Sequence, residues 1–242
     1  MSDKSQQSES DHARNVREMF AGIASRYDLL NHLLSGNTDR RWRRLVAKKL
    51  QGALTGKDSC ALDVACGTGD LSLAIAEATG ARVIGTDFCR PMLEIAARKA
   101  SAKTHTVPFV EGDALKLPFA NSAFDAVSIA FGLRNLASVE GGLQELLRVL
   151  KPGGRAAILE FSKPVVPGIN ALFQFYFTRV LPRIGGMVSG SQGAYEYLPC
   201  SVSRFPDQKG LARLMSEAGF EEVEYQNLTC GIAALHMGTR PH

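Results

Sequence analysis

Between Val16 and Leu50 apolar residues recur at helical spacing, with Met19, Phe20, Ile23 and Tyr27 on one stripe and Leu29, Leu33 and Leu34 beyond it, which predicts N-terminal helices over 14–50. The rhythm then changes. Cys60 to Ala65 is a short apolar run ending in C-G-T-G-D, followed by good helix formers from Leu71 to Ala78, so strand, tight turn and helix are expected. The unit recurs: Arg82 to Thr86 is a second strand ending at Asp87, and Arg90 to Ala102 a second helix with Pro91 near its start. A third strand is expected from Val107 to Glu111 and a fourth from Ala126 to Phe131, the latter apolar enough for burial on both faces. A helix from Val139 to Leu150 runs into K-P-G-G, where Pro152 should stop it and Gly153 and Gly154 permit a turn into a fifth strand, Ala156 to Phe161. Phe220 to Asn227 and Ile232 to Gly238, separated by L-T-C-G, predict an antiparallel hairpin at the sheet's edge. Alternating strands and helices place the chain in the α/β class with a largely parallel sheet.

One stretch breaks the alternation. Ser162 to Pro206 carries Phe173, Phe175, Tyr176 and Phe177, then Leu181, Pro182, Ile184 and Met187, and reads as a cap inserted at 162–206. Its aromatic residues suit a helical lid packed on the core, and, compatibly with that, some of them suit the lining of an apolar acceptor pocket or contact with a membrane surface.

Composition narrows the classes. A chain of 242 residues with 45% apolar and 21% charged positions suits one domain over 14–242, and no apolar stretch approaches the roughly 20 residues needed to span a bilayer. Residues 1–13 are polar and lack an apolar core or cleavage pattern, so a disordered tail is expected rather than a secretory signal, and with it a cytoplasmic protein. Five scattered cysteines without a C-x-x-C pair indicate reduced thiols, neither a disulfide framework nor a zinc site. The net charge of +4 comes with Arg40, Arg41, Arg43, Arg44, Lys48 and Lys49 spread over a wide helical face, which is no nucleic-acid footprint.

The chemistry concentrates in Asp63-Val64-Ala65-Cys66-Gly67-Thr68-Gly69-Asp70. A strand that ends in a glycine turn lets backbone amides approach a ligand at the sheet's carboxyl edge, and Gly67 and Gly69 lack the Cβ atoms that would obstruct it. A plain strand-to-helix turn would use the same glycines. Asp87 ends the next strand about twenty residues on, where a carboxylate can accept both hydrogen bonds of a ribose diol. A dinucleotide site would want Gly or Ala where Ser72 stands, and a pyrophosphate at the helix start would meet Asp70. The sulfonium and amine of S-adenosylmethionine are compatible with Asp63 and Asp70, so that cofactor fits better. Asp113 and Ala114, after the third strand, are then placed to meet the adenine, although Asp113 could equally cap its own loop.

These residues carry a resemblance. F-x-x-I-A-x-x-Y-D-x-x-N from Phe20 to Asn31, L-D-V-A-C-G-T-G-D, G-D-A-x-x-L-P-F, F-D-A-V-S-I-A-F-G-L-R-N, L-K-P-G-G-R-x-x-x-L-E-F-S-K-P and the terminal N-L-T-x-G-x-x-A-L-H together resemble the UbiE/MenG quinone-biosynthesis C-methyltransferases, over about Val16 to Arg240. The resemblance implies a class I S-adenosylmethionine-dependent methyltransferase fold, Rossmann-like, with seven strands and the last hairpin antiparallel. It places cofactor contacts on Thr68, Asp87, Asp113 and Ala114. A further contact, often Ser in the family, falls on Ala130, whose methyl group cannot supply a side-chain hydrogen bond. The reaction implied is methyl transfer to a ring carbon of a polyprenylated quinol in menaquinone or ubiquinone synthesis, with naphthoquinol and benzoquinol acceptors both open.

A quinol carbon becomes nucleophilic as its neighbouring hydroxyl loses a proton, and a base must then remove the ring proton. Arg134 and Asn135 lie just past the fourth strand. In the family the matching Arg orients a water that acts as base, and a guanidinium suits positioning or quinolate stabilisation rather than deprotonation. The competing reading is that Arg134 pairs with an acid to brace its loop. Tyr27, Asp28 and Asn31 share a helical face that could cover the acceptor, with Asp28 as a base or as a helix brace. His236 reads as a core residue, and Glu160 as a neighbour of the acceptor site or a support of the S-K-P turn. A long isoprenoid tail requires peripheral contact with the inner membrane face, for which Phe173 to Phe177 is the expected surface. A homodimer is left open.

Overall fold

In the computed structural model of the chain, residues 14–24, 27–28, 35–103, 106–168, 179 and 192–242 are described. The tail expected at 1–13, Asn31 of the N-terminal cover and the aromatic stretch Phe173 to Phe177 lie outside the described residues.

Residues 14–23 are helical, and helix α1 (Thr38–Leu50) buries Trp42, Val46, Ala47 and Leu50. The alternation follows as β1 (Cys60–Val64), α2 (Asp70–Thr79), β2 (Arg82–Asp87), α3 (Arg90–Ser101), β3 (Phe109–Glu111), β4 (Phe124–Ala130), α4 (Val139–Val149) and β5 (Leu150–Phe161). Helices α5 (Gln192–Arg204) and α6 (Gln208–Glu217) precede β6 (Glu221–Leu228) and β7 (Ala233–Thr239). The seven strands form one sheet in the order β3-β2-β1-β4-β5-β7-β6. All pairs from β3 to β5 are parallel, and β7 runs antiparallel to both β5 and β6.

Side-chain alternation explains the layering, because successive residues of a strand point to opposite faces. On one face Ala61, Ala126 and Leu159 pack under α1 and α2, against Val46, Leu50 and Ile75. On the other, Leu62, Val127 and Ile158 pack under α4 and α6, against Leu146, Leu211 and Met215. A strand covered on both faces is largely apolar, and β1 is buried along its whole length, its one charged residue, Asp63, included.

The terminal hairpin forms the antiparallel edge of the sheet as expected, with β7 between β5 and β6 and β6 as the outer strand. The reason is burial, since β7 is buried at its first six positions whereas β6 carries Glu221, Glu222 and Glu224 and is mostly exposed. The expected turn before β5 needs correction, because the K-P-G-G segment is part of β5 itself. Leu150 already pairs with Phe124, the register shifts between Phe124 and Ala126, and Gly153 adopts φ 74° inside the strand. A bulge of this kind accommodates Pro152, which has no amide for a regular ladder.

Leu62, fully buried in the central strand, and Val110, on the edge strand, provide a contrast. Leu62→Ala is expected to lower unfolding free energy by about 2–5 kcal/mol, and Val110→Ala by no more than about 0.5 kcal/mol, in urea titrations. Equal effects would contradict this layering.

Candidate functional site

The carboxyl ends of the parallel strands converge on the turn after β1. Ala65 and Gly67 adopt left-handed backbone, φ 49° and 55°, and Gly69 caps α2 at φ 81°. The turn is tied to its neighbour strand by the Cys66 amide donating to the Thr86 carbonyl at 3.0 Å. Asp87 then fixes the loop: one carboxylate oxygen accepts from the Gly67 amide at 2.8 Å and the other from the Cys89 amide at 2.9 Å. Burial raises the Asp87 pKa, opposed by these backbone donors.

The two glycines do different work. A Cβ on Gly67 would meet only Tyr27 Cε1 at 3.9 Å, in the space between loop and cover, whereas a Cβ on Gly69 would lie 2.8 Å from the Phe109 ring and 3.0 Å from Ala96 Cβ. Gly67 therefore keeps a ligand space open, and Gly69 permits close packing of the core. Ser72, which departs from a dinucleotide pattern, also has a structural partner. Its hydroxyl donates to Asp63 at 2.6 Å, and the Ser128 hydroxyl donates to the other Asp63 oxygen at 2.7 Å. Asp63 is thus a buried bolt between β1, β4 and α2, its pKa raised to about 6 by burial.

A cavity of about 740 Å³ opens above this turn. Of the residues singled out in the sequence, Tyr27, Gly67, Asp87, Asp113, Ala114, Ala130 and Asn135 line it; Asp28, Asp63, Thr68, Gly69 and Arg134 do not. Phe88, Cys89, Met92 and Phe131 also form its wall. Position after a strand end was the available signal for Phe88, Cys89 and Phe131, but Met92 reaches the cavity from α3 and leaves no such mark. Arg14, Arg17 and Phe20 close it from the N-terminal cover.

The residues off the wall are engaged elsewhere. The Thr68 hydroxyl donates to Asp28 at 2.5 Å and accepts from Lys99 Nζ at 3.1 Å. Lys99 also pairs with Asp28 at 2.7 Å and with Asp70 at 2.5 Å. The Asp70 charge, which weighed against a pyrophosphate in the sequence, is thereby countered within the protein. Arg134 forms a buried pair with Glu160 at 2.7 Å and donates to the Phe131 carbonyl. Glu160 further accepts from the Phe161 amide at 2.8 Å, and burial raises its pKa against the pull of Arg134. This is the geometry of a loop brace. Asp113 caps its own turn by accepting from the Leu115 amide at 2.9 Å, while also facing the cavity. His236 is buried in β7 with Nε2 2.8 Å from the Gln208 carbonyl, and burial lowers its pKa. Among the described residues no group of three or more His, Cys, Asp or Glu side chains could hold a metal ion.

Over residues 6–240 the sequence matches the ubiE/COQ5 methyltransferase family. The chain belongs to that family. A demethylmenaquinone methyltransferase of Thermus thermophilus is 53% identical over 92% of this chain and 100% of its own length. A Geobacter sp. protein named ubiquinone/menaquinone biosynthesis C-methyltransferase UbiE is 44% identical over 96% of this chain and 98% of its own. Among solved structures, a Thermotoga maritima protein described as an SAM-dependent methyltransferase superposes with a TM-score of 0.62 at 19% identity, covering 92% of this chain and 98% of that one. The [4+2]-cyclase SpnF superposes at 0.67 and 19%, covering 93% and 95%. At such identity the likeness is one of fold, the class I S-adenosylmethionine-dependent methyltransferase type.

Within this ubiE/COQ5 chain Asp63 gives a pH signature. Its folded-state pKa of about 6 exceeds the ordinary 3.8, so between those values the folded chain holds a proton that the unfolded chain has lost. The folded state binding more protons, stability falls as pH rises through that window, by roughly 3 kcal/mol, and then levels. Asp63→Asn is expected to remove that component in urea unfolding at pH 4, 5, 6 and 7. Parallel pH profiles for the two chains would show that Asp63 titrates ordinarily.

Proposed function

We propose that this chain transfers a methyl group from S-adenosylmethionine to a ring carbon of demethylmenaquinol, acting as one catalytic domain over 14–242. The observation that carries the reading is the cavity at the carboxyl ends of β1 to β4, whose glycine turn is held open by Asp87. Family membership supports methyl transfer, and the relatives named above have menaquinone chemistry in common.

The residues present fit the cofactor. Asp87 is buried with both oxygens already oriented by amides, and a carboxylate oxygen retains capacity for a ribose hydroxyl beside each of those bonds. Gly67 leaves the space that a side chain would occupy. Phe88, Met92 and Ala114 offer apolar walls for an adenine, and Asp113 an acceptor for its exocyclic amine. Ala130, at the end of β4, contributes surface without a side-chain hydrogen bond, and Thr68 supports the loop through Asp28 and Lys99. S-adenosylmethionine, when bound, supplies the electrophilic methyl group.

The chain's own contribution to the chemistry is alignment and exclusion of water. Tyr27 and Asn135 bring polar groups to the wall by the ends of β1 and β4, where the acceptor hydroxyl must be oriented. Arg134 holds the Phe131 carbonyl and Glu160, fixing the loop that carries Asn135. Asp28, salt-bridged to Lys99, positions the cover instead of acting as a base. No helix among the described residues is long and apolar enough to cross a membrane. The isoprenoid tail of the proposed substrate is the ground for peripheral contact at the cytoplasmic side of the inner membrane.

The reading is tested by anaerobic transfer of labelled methyl from S-adenosylmethionine to short-tailed demethylmenaquinol and to a benzoquinol analogue in parallel. Label is expected in the naphthoquinol product, and Asp87→Ala should weaken cofactor binding by about 100-fold in calorimetry, the loss of two hydrogen bonds to a charged group. Cofactor binding without label in either quinol would move the activity to another acceptor.

A further inference from the structure

Phe131 combines features that the cofactor reading leaves unused. It lies at the end of β4 with φ 58°, a conformation that bulky residues rarely adopt. Such backbone persists where its surroundings over-determine it, and several contacts do so here. Its amide donates to the Leu159 carbonyl at 2.8 Å, and its carbonyl accepts from Arg134 and from Asn135 Nδ2, the latter at 3.3 Å. The next residue is wedged against the cofactor turn, since a Cβ on Gly132 would fall 2.6 Å from Ala65 Cβ. The ring is equally fixed. Its centroid is 4.7 Å from that of Phe161 and 6.0 Å from that of Trp42, and the Arg43 guanidinium sits 5.9 Å above it. Yet the residue is only partly buried and lines the cavity.

The order of the strands says which part of a bound pair it meets. Asp113, Asp87, the Gly67 turn and Phe131 follow β3, β2, β1 and β4, consecutive positions in the sheet. Three interstrand steps place Phe131 about 14 Å from the Asp113 end. With adenine at Asp113, ribose at Asp87 and the cofactor reaching as far as Ala130, the space past the end of β4 is left for the acceptor.

We propose that Phe131 is the wall against which the planar ring of the acceptor is laid, with Trp42 and Phe161 fixing its position from behind. This rests on the quinol methyltransferase reading and deepens it by naming the acceptor-ring site. An aromatic face in a rigid backbone orients a flat substrate in offset or edge-to-face contact, and its position does not shift when the ligand arrives.

Trp42, the single tryptophan of the chain, provides a direct report. A short-tailed oxidised naphthoquinone bound at Phe131 would lie within quenching reach of it, so saturable quenching of tryptophan emission is expected in the unaltered protein. Phe131→Leu keeps an apolar side chain without the aromatic face, and Phe131→Gly suits the left-handed backbone, so the pair separates loss of the ring from loss of folding. Both variants should raise the naphthoquinone Kd and the quinol KM by about tenfold or more. Cofactor affinity should stay within about twofold, and Phe131→Trp or Phe131→Tyr should restore much of the acceptor binding. Quenching that never saturates, or an acceptor KM unchanged in both variants, would overturn the assignment while leaving the methyltransferase reading intact. Cofactor affinity falling in step with acceptor affinity would place Phe131 in the cofactor site and overturn it equally. No transfer to any quinol by the unaltered chain would remove both readings together.

Discussion

The hydrogen bonds from the Gly67 and Cys89 amides to the Asp87 carboxylate set the geometry of the whole carboxyl edge. The Gly67 bond crosses from the end of β2 to the turn after β1 and joins two neighbouring strand ends into one rim, while the Cys89 bond holds the turn that follows β2. The carboxylate is buried to do this, at a desolvation cost visible in its raised pKa. Buried charge is tolerated where donors converge on it, and here the donors are backbone groups that the fold itself supplies. The same rim presents Asp87 to the cavity, so the group that shapes the loop also faces the ligand space.

Beneath it lies a second buried carboxylate with a different task. Asp63 receives hydroxyls from Ser72 on α2 and Ser128 on β4, and locks the helix that begins after the turn onto the two strands below. Its neighbour in sequence terms, Asp70, faces outward to Lys99, which also engages Asp28 and Thr68. The acidic residues of one short motif thus point in opposite directions: one bolts the core, the other joins the N-terminal cover to the loop. Arg134 and Glu160 play the corresponding part on the β4 and β5 side, a buried pair that removal of either partner would leave uncompensated.

The fold was largely legible from the chain. Runs apolar at nearly every position, as in Cys60–Val64 with its single Asp63, signal burial on both faces of a parallel sheet, and Pro91 marks a helix start that the structure keeps. The K-P-G-G bulge was misread because the turn-forming residues of a loop and of a bulged strand are the same; pairing with a neighbouring strand decides between them. The site was legible in part. Asp87, Gly67, Asp113, Ala114, Ala130, Asn135 and Tyr27 reach the cavity, and most of these follow strand ends, where the sheet's direction places them. Phe88 and Phe131 share that placement, yet an aromatic residue in a sequence carries no mark distinguishing a cavity wall from ordinary core.

By itself the sequence determined the succession of elements, the edge of the sheet at which chemistry gathers and the identity of the carboxylates there, because hydrophobic period and turn chemistry are local properties of the chain. Which carboxylate faces a ligand and which faces a serine was decided only by the tertiary structure. So were the insertion of β7 between β5 and β6, the pairing of Arg134 with Glu160 and the strained seat of Phe131. Each depends on contacts between residues far apart in sequence, and a side chain's role at such a site is set by what the folded neighbours leave open to it.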